Sequence, residues 1–114
     1  MKANKVQVRS KVWLEAMGRP VLGPGRRELL QAVDEQGSIS QAARILKITY
    51  RKAWGQIKTM EDQLGLPLVR KTSGGLGGGS ACLAPEARTL LSQYDRLAQG
   101  IQEEVDRRFK EIFL

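Results

Sequence analysis

Residues 38–64 read SISQAARILKITYRKAWGQIKTMEDQL, and this stretch decides the fold. Two apolar stripes of helical period lie on either side of Lys47-Ile48. The first is short: Ala42, Ala43, Ile45 and Leu46, with Ser38 or Ser40 as N-cap, giving a helix over 40–46. The second begins behind Thr49, a good N-cap, and sets Ala53, Ile57, Met60 and Leu64 in one narrow sector. Gly65 and Pro67 stop it. Two helices of about seven and fifteen residues joined by a tight turn are a helix-turn-helix pattern. The paired alanines suit a close helix–helix approach.

Opposite its apolar sector the longer helix shows Arg51, Gly55, Lys58, Thr59 and Asp62, with Lys52 on the flank. Its first turn offers Thr49, Tyr50, Arg51 and Lys52, where a helix of this kind meets base edges. Arginine and lysine donate to guanine O6 and N7; threonine and tyrosine bond phosphates or touch a thymine methyl. Plain solvation is the alternative for Arg51 and Lys52. Tyr50 falls between core and groove, and Trp54, at the edge of the apolar sector, reads as core or rim rather than reader. Gly55 costs the helix about 1 kcal/mol relative to alanine. A close approach of backbone to DNA would account for it, as would a surface position or packing against another helix.

Outward from this unit, Leu29, Leu30 and Val33 mark a preceding helix over 25–36, between Gly23-Pro24-Gly25 and Gly37. Before it, residues 5–16 alternate, with Val6, Val8, Ser10, Val12, Leu14 and Ala16 on one face. Period two predicts a strand, which the turn Met17-Gly18-Arg19-Pro20 and Val21-Leu22 complete into a hairpin over 5–22. After the unit, two short extended segments within 68–84 flank the glycine-rich run Thr72 to Ser80 and read as a wing. There Arg70, Lys71, Thr72 and Ser73 are candidate phosphate contacts. The run has no following Lys-[Ser/Thr] and opens no helix, so it fails the P-loop and dinucleotide templates. Pro85 opens a last helix over 85–113, whose stripe Leu90, Tyr94, Leu97, Ile101, Val105 and Phe109 outruns the core beneath it. Such a helix usually finds a partner helix, so these six are the candidate dimer contacts.

The composition agrees. A chain of 114 residues, 41% hydrophobic, makes one domain, 1–114, with no internal linker. Its net charge is +7 and its pI near 10.0, favouring a polyanionic partner. Residues 1–27 carry seven basic residues against one acid, and 44–71 carry seven against Glu61 and Asp62. Histidine is absent, which removes the commonest general base and metal ligand. No nucleophile, base and oxyanion site assemble, so an enzyme is not expected. The single cysteine, Cys82, reads as a small buried hydrophobe on a wing strand. No apolar run is long enough to cross a bilayer, and a soluble cytoplasmic, nucleoid-associated protein without membrane contact is expected.

The runs Gly37-Ser38-Ile39-Ser40-Gln41-Ala42-Ala43, Ile48-Thr49-Tyr50-Arg51-Lys52-Ala53-Trp54 and Thr72 to Ser80 resemble the N-terminal DNA-binding domain of ModE-type molybdate-responsive transcription regulators. That domain is a winged helix related to the LysR-type module. The resemblance spans about 5–105. It implies a mainly α fold with small β: a winged helix-turn-helix with an N-terminal β-hairpin and a long C-terminal dimerisation helix. It further implies a homodimer on an inverted repeat of double-stranded DNA. On this mapping Thr49 to Lys52 begin the recognition helix and Arg70 to Ser80 form the wing. Ser40 and Gln41, at the start of the shorter helix, join the candidate DNA contacts. Leu76 stands where the family's wing tip is usually basic, and Ser80 where it is usually glycine. The family's C-terminal oxyanion-binding domains have no counterpart before Leu114, so a single-domain relative without molybdate or other cofactor is expected, with a truncated form of a longer regulator as the alternative. The competing reading is a protein-interaction or nonspecific DNA-binding module that keeps the fold without reading sequence.

Overall fold

A computed structural model of the chain describes residues 5–72 and 79–114. Its elements run β1 (Leu14–Ala16), β2 (Arg19–Leu22), α1 (Pro24–Gln36), α2 (Ile39–Leu46), α3 (Tyr50–Leu64), β3 (Val69–Thr72), β4 (Ser80–Leu83) and α4 (Pro85–Phe113). The strands form two separate antiparallel hairpins, β1–β2 and β3–β4. The expected fold class, mainly α with two small hairpins, is what the chain adopts.

Helix boundaries follow their chemistry. Ser38 caps α2, its Oγ accepting from the Gln41 amide at 2.9 Å, and Thr49 caps α3 by accepting from the Lys52 amide at 3.0 Å. Gly37 and Gly65 close α1 and α3 in the left-handed conformation, with φ of 70° and 69°. Lys47 adopts the same conformation after α2, at φ 59°, and makes the tight turn between the two helices. Ala42, Ala43 and Ala53 are fully buried where α2 meets α3, so the absence of bulk lets the helix axes approach. Leu29, Leu30, Val33, Met60 and Leu68 fill the centre.

The wing is fixed to this core. Glu61 on α3 accepts from the amides of Leu68 and Val69 at 2.8 and 3.2 Å, and the Ala81 amide donates to the Gly37 carbonyl at 2.8 Å. Alternation along β4 buries Ala81 and Leu83 and turns Cys82 outward. The expectation of a buried cysteine is therefore corrected: period two places it on the solvent face. Ile45, read as part of the α2 stripe, is also exposed.

The strand expected over 5–16 is shorter than the alternation implied. Only Leu14–Ala16 pair with β2, across the two-residue turn Met17-Gly18 at positive φ. Val8, Ser10 and Val12 are half-buried and alternate with exposed neighbours, but their partner is α4. The Gln102 carboxamide accepts from the Ser10 amide at 3.0 Å and from its hydroxyl at 2.5 Å. The Tyr94 hydroxyl donates to the Val12 carbonyl at 2.6 Å. Alternation reports one buried face; it does not say whether a strand or a helix covers it.

Candidate nucleic-acid interface

α3 presents three working sides around its buried Ala53, Ile57 and Met60. At one residue per 100°, Arg51, Gly55, Lys58, Thr59 and Asp62 lie opposite the core. Tyr50, Trp54 and Glu61 make the flank toward the wing. Lys52, Gln56 and Gln63 make the flank toward the N-terminal hairpin, where the Gln63 amide donates to the Pro20 carbonyl at 3.1 Å. The helix is thus held on both edges, and its outer side is exposed at Arg51, Lys58, Thr59 and Asp62.

Arg51 and Lys52 are exposed and in no ion pair among the described residues. Lys58 pairs with Asp62 at 3.6 Å, a surface contact of small energetic weight that leaves the lysine available to a stronger anion. Gly55 is half-exposed, and a Cβ built on it meets no atom within 4 Å. Nothing among the described residues requires glycine there. Ser40 and Gln41 stand exposed in the first turn of α2. The Thr49 oxygen is occupied by its cap, leaving its hydroxyl hydrogen for an outside acceptor.

A cluster at the junction of helix and wing was only partly legible. Tyr50 and Trp54, one turn apart, are 47% and 42% exposed. Over them lies Lys71 of β3, its Nζ donating to the Tyr50 hydroxyl at 3.2 Å and standing 5.8 and 5.6 Å from the two ring centres. Trp54 sits on the rim, half-open to solvent beside the outer side of α3. The i, i+4 spacing of two aromatics could have signalled this, but only the fixed register of β3 brings Lys71 above them. Arg70 is exposed opposite Cys82. Thr72 bonds the hydroxyl of Ser80, so these two close the base of the wing. Ser73 and Leu76, with the rest of the tip at 73–78, lie outside the described residues.

The candidate dimer residues divide. Tyr94 is buried and Leu90 packs against the same core, so both belong to the domain itself. Burial holds the Tyr94 phenol above its ordinary pKa, with Asp95 adding to the effect. Leu97 and Ile101 are 46% and 40% exposed on α4. Val105 and Phe109 are half-buried, and Phe109 borders a groove shared with Val6 and Val8 of the N-terminal arm.

Residues 26–86, more than half of the chain, match the family described as bacterial regulatory helix-turn-helix protein, lysR family. Among curated proteins, the chain is 36% identical over 80 residues to the molybdenum-pterin-binding protein MopB of Rhodobacter capsulatus, covering 70% of this chain and 30% of that one. It is 40% identical over 83 residues to the DNA-binding transcriptional dual regulator ModE of Escherichia coli K12, covering 73% and 32%. The chain thus spans about a third of the length of these relatives. Among solved structures, the CbnR DNA-binding domain complexed with DNA superposes with a TM-score of 0.55 at 21% identity, covering 74% of this chain and 91% of that one. The BenM DNA-binding domain with its benA site 1 DNA gives 0.56 at 22%, covering 75% and 94%. At those identities the superpositions speak for the fold, a winged helix. This chain belongs to the lysR family of bacterial regulatory helix-turn-helix proteins.

Proposed function

We propose that the chain is a sequence-specific, DNA-binding transcription regulator acting as a homodimer on an inverted repeat. α3 lies in the major groove, and β3–β4 follow the backbone beside it. The observation that carries this reading is the outer side of α3: Arg51 exposed and without an ion pair among the described residues, Gly55 with open space before it, and both helix flanks anchored. Such a side is rigid, cationic and shaped for close approach. Lys71, with the Tyr50 hydroxyl and the Trp54 ring, supplies a cationic shelf for a phosphate where the strand leaves the helix for the wing. The similarity to a regulator named as DNA-binding supports the same partner. Leu97 and Ile101 give the second copy an apolar stripe. The reading is of binding rather than catalysis, in the cytoplasm, and needs no molybdenum compound.

Selection of bound duplexes from a random library at near-physiological salt tests it. Enrichment of an inverted repeat is expected, with half-site spacing that locates the two α3 helices. Binding that enriches nothing and simply fades as salt rises would instead support the sequence-blind module.

A further inference from the structure

The wing accounts for one flank of α3; the other flank borders a cleft of about 510 Å³ beneath the N-terminal hairpin. That volume lies in the range of small-molecule sites. Leu22, Leu29, Leu46 and Ile48 supply apolar lining, and Trp13 forms a wall. Trp13 is 49% exposed, and the polar edge of its ring is already engaged, Nε1 donating to Glu15 Oε2 at 2.8 Å. Residue 23 allows this arrangement, since a Cβ on Gly23 would stand 3.2 Å from the Trp13 Cβ. The cleft is therefore built, with the indole tied to Glu15 at its polar edge and the Trp13 Cβ close against residue 23.

Its charge is one-sided. Lys11 lines it from the arm and Lys52 from the first turn of α3, neither in an ion pair among the described residues. Arg26 is turned to the Pro20 and Val21 carbonyls, at 3.1 and 2.8 Å, and Glu28 is the single acid. An apolar slot with two ammonium groups that no acid pairs among the described residues complements a flat apolar body with one anionic end. A DNA phosphate would satisfy the lysines and leave the apolar lining in water.

We propose that this cleft binds a small aromatic carboxylate, and that filling it weakens DNA binding through Lys52. The carboxylate draws on the same ammonium that the first turn of α3 offers to DNA. This second half rests on the DNA reading above; the first half stands without it. The coupling is reciprocal, so DNA lowers the affinity for the carboxylate by the same factor.

The probe is naphthalene-1-carboxylate, titrated into the full chain by calorimetry and tryptophan fluorescence beside the uncharged naphthalene-1-carboxamide. One saturable site per chain is expected, with quenching that Trp13→Phe removes. The carboxamide, and the carboxylate on Lys11→Ala, should each bind about tenfold more weakly. Ile48→Trp should fill the cleft and abolish binding. Because Ile48 is half-buried, Lys11→Glu at an exposed position carries the same test on an undisturbed core. On the selected DNA site, saturating carboxylate should raise Kd about fivefold.

No saturable binding, or binding indifferent to the carboxylate and to Lys11, overturns the site. A Lys11→Ala variant that loses about one unit of salt slope on DNA, in a chain that takes up no carboxylate, assigns the cleft to a phosphate instead. Charge-dependent uptake with unchanged DNA affinity overturns the coupling alone. A chain that selects no DNA sequence defeats the functional reading, while the titration still decides the cleft.

Discussion

Arg51 and Gly55 stand one turn apart on the outer side of α3, and opposite kinds of substitution test them. Arg51→Ala should cost about 1–3 kcal/mol of binding on the selected site and relax preference at one base position, if the guanidinium bridges a guanine edge. Titration against single-base variants of the site checks this, and equal losses on every sequence would move Arg51 to a phosphate. Gly55→Ala separates stability from function. The added methyl meets nothing within 4 Å, so denaturant unfolding should show a gain of about 1 kcal/mol from helix propensity. DNA affinity should fall at the same time, because the methyl enters the space that the DNA backbone needs. Unchanged affinity would make Gly55 an ordinary surface glycine.

At the scale of elements, α3 depends on its cap and on the wing. Thr49→Ala leaves the Lys52 amide without its partner at 3.0 Å and should cost about 0.5–2 kcal/mol of stability by urea unfolding. Thr49→Ser should restore most of that loss. Lys71→Met keeps the length of the side chain on the Tyr50 and Trp54 rings and removes the charge. It should lower the salt slope of DNA binding by about one while leaving base preference unchanged. A change in preference would mean that Lys71 positions α3 rather than holding a phosphate. The helices at 25–36, 40–46 and 50–64 were legible to within a residue or so, because cap chemistry and apolar period are local. The strand over 5–13 was misread for the complementary reason. Its alternation is real, but the covering surface is α4, more than eighty residues away in sequence at the Tyr94–Val12 contact.

Over the whole molecule the dominant feature is length. The chain extends 59 × 29 × 21 Å, and α4 alone, at 29 residues, rises about 43 Å. Its N-terminal turns belong to the core: Arg27 grips Asp95 through two bonds, at 3.0 and 2.9 Å, and Arg88 reaches Asp34 at 2.9 Å. Beyond Ala98, among the described residues, the helix is accompanied by the N-terminal arm, and Leu97 and Ile101, either side of the point where the core ends, are exposed along one side. On the proposed homodimer, Leu97→Asp should therefore shift sedimentation from dimer to monomer without unfolding the domain. Binding to the inverted repeat should fall more than tenfold, as the second half-site no longer adds to the first. A dimer that survives this change would place the interface elsewhere.

Periodicity, caps and turn residues are local physics, so the helix-turn-helix and the exposed outer side of its longer helix were available from residues 38–64 alone. Local physics also placed Thr49 as a cap and Arg51 on the outside. What covers a half-apolar face is a question of distant surface, and only the tertiary structure answered it. It took Leu90 and Tyr94 from the dimer stripe into the core and laid the arm on α4. It also set Lys71 above two aromatic rings and enclosed a cleft between Trp13 and Lys52. Each of these joins residues far apart in the chain, whose approach depends on packing that no short window of sequence contains.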